Sequence, residues 1–73
     1  MSRLPGVSGK VCIKALEKAG FRLVRVEGSH HYMRRDSPFC QVSVPLHRTL
    51  KKGTLHGIIK TAGLSIEEFI KLL

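Results

Sequence analysis

The chain has 73 residues, with 13 Lys and Arg against 5 Asp and Glu, for a formal net charge of +8 and a pI near 10.2. That length makes one domain, 1–73, at the size where a single core only just suffices, because so short a chain buries about 60% of its extended surface. The charge attracts polyanions and puts nucleic acid first among partners. No segment approaches the ~18 apolar residues of a membrane span and no basic helix carries a continuous apolar face, which argues against a membrane partner.

Met1 to Gly6 lack the apolar stretch of a signal peptide, so the expected location is the cytoplasm. Val7-Ser8-Gly9-Lys10 reads as a helix start, with Ser8 as cap and Val7 as staple. Val11, Cys12, Ala15, Leu16 and Ala19 recur at helical spacing, and Gly20 ends the helix after about Ala19. Phe21 to Val26 then reads as a strand and Glu27-Gly28-Ser29 as a turn. A second strand runs from His30 to Arg35, and Asp36-Ser37-Pro38 turns into a third from Phe39 to Val44, closed by Pro45. Cys40, Val42 and Val44 share one face, and Gln41 and Ser43 share the other, so one side of the sheet meets helices and the opposite side meets water or a ligand.

Leu46 to Gly53 forms a basic connection, and Thr54 is the expected cap of a helix carrying Leu55, Ile58, Ile59 and Ala62. Gly63 ends it, Ser65 and Glu68 have capping-box spacing, and Phe69, Ile70, Leu72 and Leu73 make a last apolar turn. The predicted fold class is therefore α+β, in the order α-β-β-β-α plus a short C-terminal helix, with a three-stranded antiparallel sheet and its helices on one face. Cys12 and Cys40 lack CxxC spacing and occupy apolar positions, so they read as packed free thiols.

The chemistry-bearing segment is Gly28-Ser29-His30-His31-Tyr32. Cutting RNA requires a base for the 2′-hydroxyl proton, a donor for the leaving 5′-oxygen and positive charge on the phosphate. An imidazole with a pKa of about 6.5 can serve either proton transfer. Arg25, Arg34, Arg35, Arg48, Lys51 and Lys52 are candidates for the charge, and His47 stands past a strand end where it can meet phosphate. Strand alternation groups His30 with Tyr32 and Arg34, and His31 with Met33 and Arg35, so only one histidine should be essential. On residues alone, His30 reads equally as an edge histidine satisfied by backbone, and Tyr32 as a base-stacking or a packing residue. Ser29 has no acid partner for hydrolase chemistry and reads as a turn residue whose hydroxyl bonds backbone or phosphate, while Gly28 allows close approach of RNA or a positive φ. Neither His30-His31 nor His47 and His56 has a companion at ligand spacing, and Asp36 is the only Asp, so no metal site is predicted.

Leu-Pro-Gly-Val-Ser-Gly-Lys, Gly-Phe followed by Gly-Ser-His-His-Tyr, Val-Pro-Leu-His-Arg, and Lys-Lys-Gly-Thr-Leu followed by Ile-Ile-Lys-Thr-Ala-Gly-Leu occur in that order from Leu4 to about Phe69. Together these blocks resemble the HicA-type toxins, small RNA-cleaving proteins of prokaryotic toxin–antitoxin pairs. The resemblance implies a fold like the double-stranded-RNA-binding domain, metal-independent endoribonuclease activity on mRNA with no small-molecule cofactor, and neutralisation by a HicB-type antitoxin. The family's functional histidine directly follows Gly-Ser, which here is His30; the second histidine is common in relatives but not the defining one, so His31 inherits less, and His31, Ser29 and Gly28 stand as auxiliary candidates. Val11 departs from the pattern, standing where many relatives place an acidic residue. Two other readings compete: a non-catalytic RNA-binding module of the same fold, and an inactive relic that mainly binds its antitoxin.

Overall fold

The computed structural model of the chain describes residues 4–73. Met1 to Arg3, the beginning of the segment read as lacking a signal peptide, lie outside the described residues. The element order is α1 (Gly9–Lys18), β1 (Arg22–Glu27), β2 (His30–Asp36), β3 (Phe39–Pro45), α2 (Lys52–Thr61) and α3 (Ile66–Leu72). The strands form one antiparallel sheet in the order β1-β2-β3, and the architecture is the predicted α+β arrangement, consistent with a double-stranded-RNA-binding-domain-like fold. No helix among the described residues is long and apolar enough to cross a membrane.

Alternation along the strands decides which side of the sheet becomes the core. Met33 pairs with Val42, and His31 with Val44. Met33, Val42 and Val44 are buried, together with Cys12, Ala15 and Leu16 of α1, Leu55, Ile58 and Ile59 of α2, and Phe69 of α3. Both longer helices pack over β3, whereas β1 is exposed along its whole length.

β1 departs from simple alternation. Leu23 pairs with Met33 and the next paired residue is Arg25, opposite Tyr32, so Val24 is an extra residue and the register shifts there. A bulge of this kind turns the rest of the strand over. Without it Arg25 would share the helix side with Leu23; with it, Arg25 lies over the Tyr32 ring at 4.5 Å on the open side.

The helix ends follow local chemistry at two of three N-termini. The Ser8 hydroxyl accepts from the Val11 amide at 3.1 Å. Ser65 and Glu68 form the reciprocal capping box, with the Glu68 carboxylate lowered in pKa by hydrogen bonds from Ser65. The expectation of a Thr54 cap is corrected: α2 starts at Lys52, Lys51 occupies the cap position, and no side chain caps the helix. Lys51 takes the extended conformation of a cap residue, with φ −64° and ψ 146°, so the turn begins before Thr54 can supply its hydroxyl.

α1 meets the chain again where β3 ends. The Gly9 amide donates to the His47 carbonyl at 2.9 Å, and the Leu50 amide to the Val7 carbonyl at 2.8 Å. A Cβ on Gly9 would collide with the Pro45 carbonyl oxygen and come within 2.9 Å of the Leu46 Cα, both backbone atoms with no freedom to yield. Gly57, within α2, has open space around its Cβ position. Gly9→Ala is therefore expected to lower stability by about 1–3 kcal/mol, and Gly57→Ala to raise it by up to about 1 kcal/mol, both read from the midpoint of urea unfolding at constant m.

Both cysteines are free thiols. Cys40 donates through its sulfur to the Thr61 carbonyl at 2.9 Å, tying β3 to the end of α2. Cys12 is fully buried, and burial pushes its thiol from 9.0 up to about 11. The unfolded thiol ionises first, so the stability it supplies is complete below pH 9 and is lost as pH rises towards 11. The loss is expected to reach about 2 kcal/mol, measured as the difference between wild type and Cys12→Ala across that window so that lysine titration cancels.

Candidate functional site

The hairpin that presents His30 is short. Glu27 pairs with His30 across the β1–β2 ladder, leaving only Gly28 and Ser29 as the turn. Gly28 has φ +58° and Ser29 is not positive, the pattern of a type II′ hairpin with glycine first. A side chain at Gly28 would meet no steric neighbour, so backbone conformation rather than crowding selects glycine there.

His30 starts β2 on the open side of the sheet, in line with Tyr32 and Arg34. It lines a cleft of about 410 Å³ together with Ser43, His47, Thr49, Lys51 and Thr54. The cleft lies where the hairpin turn, the end of β3 and the first turn of α2 converge. A second groove of about 330 Å³ shares Ser43 and Thr54 with it and continues past Gln41 and Gly57 along the seam between β3 and α2.

The loop floor is held by main chain. The Leu46 amide donates to the Ser29 carbonyl at 2.7 Å, and the His47 amide to the Pro45 carbonyl at 3.0 Å. Leu50 is buried in the core, which fixes the loop between the exposed His47 and Lys51. The first backbone bond of α2 runs from the Leu55 amide to the Lys51 carbonyl at 2.9 Å. The amides of Lys52, Gly53 and Thr54 precede that bond, with neither a capping side chain nor an acidic residue in the first turn. An uncapped helix start carries partial positive charge, and here Lys51 adds a full one.

The seven predicted phosphate-binding residues fall into three groups. His47 and Lys51 share the cleft with His30, and Arg48 and Lys52 flank them in sequence, exposed and without ion-pair partners among the described residues. Arg25 and Arg34 share the open sheet face but are engaged. Arg25 lies 3.4 Å from Glu27 and stacks on Tyr32; Arg34 Nε sits 3.1 Å from Asp36 Oδ1, an ion pair without hydrogen-bond geometry. Arg35 is on the opposite, helix side, stacked on Phe21 at 4.8 Å and donating to the Pro38 carbonyl at 3.2 Å.

His31 also falls on the helix side, half-buried opposite Val44, with a buried Nδ1 that meets no partner. His56 is exposed on α2 and does not line the cleft. Among the described residues no three His, Cys, Asp or Glu side chains gather as a metal cluster would require. Sequence reasoning missed Ser43, Thr49 and Thr54 as cleft residues. Only the polar alternation of β3 hinted at Ser43, and the two threonines are brought in by the loop path.

A family model for the HicA toxin of bacterial toxin–antitoxin systems matches residues 9–64, a span that holds the hairpin, both cleft histidines and α2. No curated protein matches the chain. Because that match extends from the start of α1 to just beyond α2, well over half of the sequence, the chain belongs to the HicA toxin family.

Proposed function

We propose that this toxin is a metal-independent endoribonuclease that cuts mRNA in the cytoplasm, that His30 moves a proton in the cleavage step, and that a HicB-type antitoxin silences it. The observation that carries the reading is that His30 shares one cleft with Lys51 and the uncapped start of α2. Those groups match the demands of phosphodiester cleavage. A neutral imidazole removes the 2′-hydroxyl proton or a protonated one supplies the 5′-oxygen, while the lysine and free amides oppose the charge gathering on the phosphate. Ser29 and Gly28 act by shaping the turn that aims His30.

RNA approaches through the cationic segment. Arg48, Lys51 and Lys52 lie on or beside the cleft, whereas Arg35 lies across the sheet. The salt slope of RNA binding should therefore fall by about one for each of Arg48→Ala and Lys51→Ala and stay unchanged for Arg35→Ala, in titrations at several salt concentrations.

Cleavage is tested with a labelled single-stranded mRNA in EDTA at matched folded concentrations. His30→Ala should lose about 100-fold or more in rate while still binding RNA, and His31→Ala should cut at the wild-type rate. Products should carry a 2′,3′-cyclic phosphate and a 5′-hydroxyl; 5′-phosphate ends would exclude attack by the 2′-oxygen. RNA retained by wild type without any cleavage would identify a binding module instead.

A further inference from the structure

The cleft contains two imidazoles, of which the chemistry above employs one. His30 arrives from the first position of β2 and His47 from the loop two residues beyond β3, and both line the same cleft. The residues immediately before them are joined directly, since the Leu46 amide donates to the Ser29 carbonyl at 2.7 Å. The Gly9 amide holds the His47 carbonyl from the other side. The two rings are thus carried on segments joined to each other through main chain.

We propose that His47 is the second proton-transfer group, so that His30 and His47 act as an acid–base pair on one phosphodiester; this rests on the ribonuclease reading above. One imidazole, neutral, takes the 2′-hydroxyl proton as the O2′–P bond forms. The P–O5′ bond breaks and the other imidazole, protonated, gives its proton to O5′. One proton is taken up and one delivered, so the step needs no co-reactant and leaves a 2′,3′-cyclic phosphate and a 5′-hydroxyl.

The composition of the cleft singles out His47 for this task. Ser43, Thr49 and Thr54 offer hydroxyls that do not titrate near neutrality, and among the described residues no carboxylate lines the cleft. Lys51 brings positive charge to the cleft and serves the phosphate. The other histidines are elsewhere, His31 across the sheet and His56 on α2 outside the cleft. The charged groups around the pair are Lys51 within the cleft, Arg48 beside His47, and Glu27 opposite His30, the last occupied by Arg25 at 3.4 Å. A volume of about 410 Å³ accommodates a phosphodiester with part of its flanking nucleosides.

The test is the rate of cleavage of a defined single-stranded RNA between pH 5 and 9 by wild type, His30→Ala, His47→Ala and His47→Gln, with RNA binding and thermal unfolding measured alongside. Wild type should give a bell-shaped profile. Both His47 variants should fold, bind RNA, lose about 100-fold or more in rate and lose one limb of the bell. A second substrate carries sulfur in place of the bridging 5′-oxygen, a leaving atom that departs without protonation. Its cleavage by His47→Ala would make His47 the acid, and its cleavage by His30→Ala would make His47 the base; either supports the pair. If His47→Ala keeps the rate and both limbs while His30→Ala is inactive, the pair is overturned and the ribonuclease reading stands. A lower rate with both limbs intact and no rescue in either variant would also overturn it, by showing that His47 only shapes the loop. Absence of cleavage by wild type would remove the ribonuclease reading itself.

Discussion

Three main-chain hydrogen bonds meet at one junction and position the groups of the cleft. The Val7 carbonyl receives the Leu50 amide, the Gly9 amide reaches the His47 carbonyl, and the Ser29 carbonyl receives the Leu46 amide. They fasten the start of α1 and the β1–β2 turn to a loop that has no regular structure of its own. None depends on side-chain chemistry, but the set requires α1 to approach Pro45 and Leu46 more closely than a Cβ would permit, which is why Gly9 occupies the first turn. Val7, Gly9 and Leu50 are buried, and leaving their main-chain groups unpaired would cost about 1–3 kcal/mol each, a large fraction of what a 73-residue domain can spare. The loop is consequently held by main chain at Leu46, His47 and Leu50.

Charge is distributed unevenly around that junction. Asp36, at the far end of β2 from His30, draws Arg22 at 2.8 Å and Arg34 at 3.1 Å, and Glu27 holds Arg25. Exposed pairs of this kind contribute only about 0–1 kcal/mol to stability. Their larger effect is local neutralisation, because they remove net positive charge from the sheet while Arg48, Lys51 and Lys52 stay free. The seven strand residues from His30 to Asp36 span roughly 20 Å, more than a Debye length at physiological salt, so the two ends of the sheet present separate fields. Around the loop and the start of α2, Arg48, Lys51 and Lys52 concentrate positive charge in a segment, 46–61, whose sequence holds no carboxylate side chain.

Most of the fold was legible because periodicity and packing agree. Val42 and Val44 alternate with Gln41 and Ser43, and that pattern alone separates the helix side from the open side. Ser8, Ser65 and Glu68 signal two helix starts through spacing that the backbone must satisfy. The third start was misplaced because Thr54 is a good cap residue in a segment whose path is set elsewhere, by the junction at Val7 and Gly9. The bulge had a visible sign in the adjacent apolar pair Leu23-Val24, which interrupts alternation, but its consequence, the transfer of Arg25 to the open side, emerges only from pairing with Tyr32. The candidate site was legible at His30 through the turn before it. Its convergence with His47, Lys51 and Thr54 depends on long-range contacts that no local pattern carries.

Packing also determines which of two adjacent histidines meets the cleft. A slip of β2 by one residue would bring His31 to the open side in place of His30, and would simultaneously expel Met33 from the core. Met33 is wholly buried between Leu23 and Val42 in the register observed, and burying such a side chain is worth about 1.5–3 kcal/mol. Tyr32 would enter in its place with a hydroxyl needing a partner, adding to the penalty. The two-residue turn at Gly28 and Ser29 sets the same register from the other end, because its backbone geometry permits no slippage without rebuilding the hairpin. Core packing and turn conformation thus act as independent constraints on one outcome, and the imidazole they deliver to the cleft is the one whose neighbours along the strand face are Tyr32 and Arg34 rather than the core.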